Sequence, residues 1–223
     1  MRTAQKGFTL VEIAIVLVII GLLLGGILKG QEMIVQARTK NVIADFSGVS
    51  AAYHGYMDRY RAMAGDDAGA GRWTNGLPGN NNGQIGGAYN VATCPTANTL
   101  PAAGTPESCL FWHHLRIAGF VAGTGTAQPR NAVQGMVGVQ TGDGAGANAL
   151  GGLGGLVMCS ANLPDKIALS VDTQMDDGAI GTGTVRGQFH TPTTVPNPAI
   201  NAAADGGPYL ENGTNVYTIC RSL

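Results

Sequence analysis

Glu12 is the only charged residue in a 21-residue run, Phe8 to Leu28 (FTLVEIAIVLVIIGLLLGGIL), that is otherwise apolar apart from Thr9 and three glycines. A carboxylate inside a membrane-spanning helix costs roughly 2.5 to 3.5 kcal/mol on insertion scales, so it marks a function and requires a partner. Four cysteines, Cys94, Cys109, Cys159 and Cys220, all follow the run. An even count without a C-x-x-C pair predicts two disulfides in an oxidising compartment rather than a zinc or thioredoxin-like site. Four cysteines allow three connectivities, of which Cys94–Cys109 with Cys159–Cys220 is preferred. His113 and His114 are adjacent and would point about 100° apart on a helix, a poor metal pair, so they read as surface histidines. Asp172, Asp176 and Asp177 gather oxygen ligands of the kind calcium takes, but EF-hand spacing is absent and a solvated turn is the plainer reading. The P-loop, G-x-S-x-G and H-E-x-x-H motifs are all missing, and no catalytic constellation or cofactor site is expected.

These residues need elements to hold them. The run from Phe8 to Leu28 is long enough to cross about 30 Å of hydrocarbon as a helix. It is too long for the core of a cleaved secretory signal, and the GGILKGQ that ends it is a poor cleavage site. Beyond it, Val35, Val42, Phe46, Val49, Tyr53, Tyr56 and Tyr60 recur at spacings of seven, four and three, a helical stripe. One helix from Phe8 to about Arg61 is implied, roughly 80 Å long at 1.5 Å per residue. Gly21, Gly25, Gly26 and Gly30 weaken it locally or permit close helix packing. The whole chain is rich in glycine, with 35 in 223 residues, and only 12% is charged, about half the usual share. A net charge of −1 gives no footprint for nucleic acid.

MRTAQKG precedes the run, and together they read MRTAQKGFTLVEIAIVLVIIGLLLGG. This order of basic leader, Gly, Phe, Thr, Leu, Glu and apolar run resembles the N-terminal signature of type IV prepilins and of the pseudopilins of type II secretion. The resemblance covers about 30 residues and implies cleavage by a membrane peptidase between Gly7 and Phe8, N-methylation of Phe8, and an assembly role for Glu12. It also implies other pilin subunits, a prepilin peptidase/methyltransferase and an inner-membrane assembly platform with its ATPase as partners. Cleavage would create an α-amine on Phe8, a cation at neutral pH, four residues before Glu12. Within a subunit the two can neutralise each other; between subunits the amine of one can meet Glu12 of the next and set the register. Basic residues flank the run almost equally, with Arg2 and Lys6 before it and Lys29, Arg38 and Lys40 after, so the cysteines decide for an outside C-terminal domain. Many major pilins carry a proline just past this region, where this chain reads GGILKGQ.

The expected domains are a leader at 1–7, a transmembrane and assembly helix at 8–28, its amphipathic continuation at 29–61, and a periplasmic or extracellular globular domain at 62–223. The fold class expected is α+β, a long N-terminal helix packed on a small domain with an antiparallel sheet. ESCLFWHHLRIAGF predicts a helix with Ser108 as cap, Leu110, Phe111, Leu115 and Ala118 inward and Gly119 as terminator. NLPDKIALSVDTQMDDG predicts another, with Leu163, Ile167, Val171 and Met175 on one face. GLVMCS, GTVRGQFH and NVYTICRSL read as strands, and GDGAGANALGGLGG as a loop. A bridge between Cys159 and Cys220 would fasten the last strand to the middle of the domain. The chain is thus expected to be a structural filament subunit, not an enzyme, placed first in the inner membrane and then in a pilus, at the cell surface or in the periplasm. The alternatives are a type II secretion pseudopilin and, in another class, a membrane-anchored extracytoplasmic ligand-binding domain.

Overall fold

A computed structural model describes residues 7, 9–91, 94, 100–143, 152–190, 200 and 207–223. The elements run α1 (Leu10–Tyr60), a 3-10 turn (Ala70–Arg72), α2 (Glu107–Ile117), β1 (Val137–Asp143), β2 (Gly154–Pro164), α3 (Asp165–Met175), β3 (Val185–His190) and β4 (Val216–Ser222). The chain falls into two units, Met1–Ala37 and Arg38–Leu223.

In the first unit the described structure is almost entirely helix. Leu, Ile, Val and Ala fill it, and residues 13–28 carry no charge at all. Its large apolar side chains, among them Leu17, Leu22, Leu23 and Leu28, are exposed. By length and composition it is a helix able to cross a membrane.

In the second unit, α1 is amphipathic. Thr39, Val42, Phe46, Val49, Tyr53 and Tyr56 are buried at alternating spacings of three and four, the period that keeps side chains on one helix face. Tyr60, at the end of the stripe, is half-buried with its ring 5.0 Å from that of Trp73. Arg61, at φ 53°, then turns the chain out of the helix.

α2 begins two residues before the sequence expectation. Pro106 is its N-cap residue, and Ser108, expected as the cap, lies inside the first turn with a buried hydroxyl. Proline's fixed φ suits the helix start and leaves Ser108 no capping position. At the other end Gly119, at φ 81°, donates to Arg116 O while Phe120 N–H donates to Leu115 O, a Schellman ending that a glycine readily supplies. Leu110, Phe111 and Leu115 are buried as the spacing predicts, whereas Ala118 is only half-buried.

The sheet is antiparallel throughout, in the order β1-β2-β4-β3, which makes the fold α+β. β2 continues to Pro164, so Leu163, expected on the following helix, is a buried strand residue. The segment read as a loop is strand at both ends, because Gly142 and Asp143 close β1 and pair with Gly155 and Gly154 of β2; its residues 144–151 fall outside the described residues. Between Ser160 and Leu163 the β2–β4 register shifts, with Asn162 at φ 58°. The Asn131 amide holds this bulge, donating to Ala161 O at 2.7 Å and to Ser160 Oγ at 2.9 Å. Gly135 packs so closely there that a Cβ on it would lie 1.8 Å from Ala161 O.

Candidate functional site

Thr9 and Glu12 form a reciprocal cap at the start of α1. The Thr9 backbone N–H donates to Glu12 Oε2 at 2.8 Å and the Thr9 hydroxyl to the same oxygen at 2.7 Å, while Glu12 N–H donates back to Thr9 Oγ1 at 3.3 Å. This is a capping box, T-x-x-E, which satisfies otherwise orphaned amide donors and sets a carboxylate against the positive end of the helix. Glu12 is exposed, with only apolar residues following it as far as Lys29. Gly7 is exposed immediately upstream, with open space where a side chain would be, and Phe8 lies outside the described residues. The box was readable in the sequence as Thr9-x-x-Glu12, though the eye goes first to the charge.

Past the span, Lys29 pairs with Glu32 at 2.7 Å, an exposed i,i+3 contact worth a few tenths of a kcal/mol.

The described cysteines are all bridged: Cys94 to Cys109, and Cys159 to Cys220. Cys159 and Cys220 stand directly opposite each other on β2 and β4 with Cα atoms 4.1 Å apart, inside the buried cluster with Tyr89, Val157 and Ile200.

The histidines correct the sequence reading, because both are buried rather than on the surface. The segment between α1 and α2 folds over the face of α2 that would otherwise meet solvent. Gly65 N–H donates to His114 Nδ1 at 2.9 Å, so Nε2 carries the proton and donates to Leu77 O at 2.8 Å. His113 Nε2 donates to Asn75 O at 2.7 Å. Burial pulls His114 down to about 4, keeping the ring neutral. The two histidines act as staples between α2 and the segment Gly65–Leu77.

Beside them, Asp67 is the polar hub. It accepts from the Tyr56 hydroxyl at 2.6 Å, from Gly69 N–H at 2.7 Å and from Arg72 Nη1 at 2.6 Å. Burial works against this carboxylate, but the Arg72 guanidinium, the Tyr56 hydroxyl and the Gly69 N–H outweigh it and hold Asp67 below its ordinary range. The Arg72 guanidinium also lies 5.0 Å from the Tyr60 ring centroid and 4.8 Å from that of Trp73.

Asp172, Asp176 and Asp177 do come together, with carboxylate oxygens within 4.8 Å of one another. Asp172 accepts from the Tyr209 hydroxyl at 2.6 Å and from Gly178 N–H, and Asp177 accepts from the Thr182 hydroxyl and Ala179 N–H. Asp176 accepts from the Thr184 and Val185 N–H groups. These donors knit the carboxylates into the turn between α3 and β3. A cation would have to compete with that existing set.

The profile of the prokaryotic N-terminal methylation motif matches residues 2–28. This segment is a prepilin signature. It is the signature of type IV pilins and pseudopilins, which supports a pilin-like protein processed by a prepilin peptidase and assembled into pilus-like polymers. The family carrying this signature is structural rather than enzymatic. No curated protein and no solved structure matches the chain. The prepilin signature and the exposed apolar helix together fit a membrane-anchored protein.

Proposed function

We propose that this chain is a structural subunit of a type IV pilus-like filament. It is inserted in the inner membrane with residues 29–223 outside, cleaved between Gly7 and Phe8, methylated on Phe8 and polymerised through α1. The observation that carries this reading is the prepilin signature over residues 2–28, in which Glu12 is the only charge before Lys29 in the apolar stretch of α1.

The mechanism follows from the cost of an unpaired carboxylate in an apolar surrounding. In the precursor the Thr9 amide and hydroxyl satisfy Glu12. After cleavage the new Phe8 amine supplies a full positive charge. An incoming subunit whose amine meets Glu12 of a docked subunit gains a pair in a medium of low dielectric, and only the correct axial register provides it. Energy for extraction from the bilayer comes from a cytoplasmic ATPase acting through an assembly platform.

Mass spectrometry of sheared surface material tests the reading. A mature N-terminus at methylated Phe8 is expected, and assembled chains still beginning at Met1 would overturn the cleavage assignment. Processed chains that stay beneath the outer membrane, with a secretion defect on deletion, support the pseudopilin role instead. An extracytoplasmic ligand-binding domain would leave the chain unassembled.

A further inference from the structure

Asp45 is a carboxylate on α1 without a partner among the described residues. It lines an open groove between α1 and the segment after α2, with Gly48 and Trp112 beside it and Arg130 across it. Burial pushes its carboxyl up from the ordinary range. Its helical neighbours at three and four residues, Asn41, Val42, Gly48 and Val49, include no cation, and Arg130 is turned to Gln134 O at 3.2 Å. Gly48 leaves open space on the α1 wall, so another backbone can approach closely. The groove therefore offers an anion that its own subunit does not use.

The complementary group is on the same helix. Lys40 is exposed, and its neighbours at three and four residues, Gln36, Ala37, Ile43 and Ala44, include no acid. Five residues separate Lys40 from Asp45, which puts them about 140° apart around the helix, so they cannot pair within one chain. We infer that Asp45 receives Lys40 of a second copy of this chain, as a further register contact of the filament. The inference rests on the filament reading above.

A copy shifted so that its Lys40 is level with Asp45 is displaced by five residues, about 7.5 Å along this part of α1. Because donor and acceptor lie on different sides of α1, the contact is head-to-tail, and a head-to-tail contact propagates rather than closing a pair.

The test uses the full-length chain in cells that assemble it. Asp45→Lys and Lys40→Asp singly should each lower the yield of sheared filaments by at least about fivefold, and the double reversal should bring it back to within about twofold of the parent. Normal yield from either single reversal overturns the contact, and so does a double reversal as poor as the singles. As an arm that does not depend on charge, Lys40→Cys with Asp45→Cys in one chain should give a ladder of multimers with a short bis-maleimide, whereas each single change stops at dimers. Filaments that give no ladder overturn the contact while leaving the filament reading intact. A parent chain that forms no filaments overturns both.

Discussion

The Tyr56 hydroxyl, on the last turns of α1, donates at 2.6 Å to the carboxylate of Asp67 in the loop that follows. Asp67 also takes Arg72 and the Gly69 amide, so one buried carboxylate joins the helix to the segment that covers α2. Removing it by Asp67→Ala would strand a buried hydroxyl, an amide and half of an ion pair. The expected loss is about 3 kcal/mol, read as a lower denaturation midpoint of the full chain in detergent. Because Asp67 is held below its unfolded range, its contribution is present above the ordinary carboxylate pKa and fades as pH falls through its folded value. A change under about 0.5 kcal/mol would show the hub to be ornamental.

His114 makes a second prediction, in a higher pH window. Its folded value near 4 lies below the unfolded value of 6.5, so lowering the pH protonates the unfolded chain first. Stability should therefore be full above about pH 6.5 and decline toward pH 4, by at most about 3 kcal/mol from this group. Melting the parent and His114→Gln across that window checks it. An equal slope in both would exclude His114 as the source.

The two disulfides should differ in weight. Cys159–Cys220 closes a separation of 61 residues and Cys94–Cys109 one of 15. On loop entropy alone the first is worth about 4 kcal/mol and the second about 3. Cys159→Ala with Cys220→Ala should thus cost more than the other pair, by more than entropy predicts, because both Cys159 and Cys220 are fully buried, whereas of the other pair only Cys109 is. Chemical denaturation of both double variants decides, and the reverse order would contradict the assignment.

Glu12 has two separable roles, a cap and a charge. Glu12→Gln keeps an oxygen acceptor for the Thr9 amide and removes the charge, whereas Glu12→Val removes both. If the charge drives docking, both variants should insert, be cleaved, and accumulate as processed subunits in the membrane without filaments. If capping is what matters, Gln should assemble nearly as the parent does. Fractionation with N-terminal mass spectrometry separates the outcomes.

α1 was legible because its signals are long and redundant: an unbroken apolar run, then Val42, Phe46, Val49, Tyr53 and Tyr56 at helical spacing. Three strands were legible in outline from their β-branched residues. β1 was not, since VGVQTGD has few apolar side chains and owes its strand state to pairing with β2. The histidines were misread for a similar reason. Local spacing showed that His113 and His114 point apart, but only the tertiary path of Gly65–Leu77 reveals that both directions lead inward. Asp45 was passed over because one acid on an amphipathic helix looks like ordinary surface; its isolation shows only once the groove around it is built.

The place of β4 in the sheet has a bearing on the order of events during synthesis. Val216–Ser222 lies between β2 and β3, so these two strands, complete in sequence far earlier, have no edge to share until the ribosome has passed residue 216. Cys159 likewise waits for Cys220. In the orientation proposed above, nearly the whole C-terminal domain would therefore cross the bilayer as unclosed chain before the sheet zips. For a while each newborn subunit carries an unpaired β2 edge and a reduced Cys159, the state in which an oxidoreductase or a chaperone of the receiving compartment would find it.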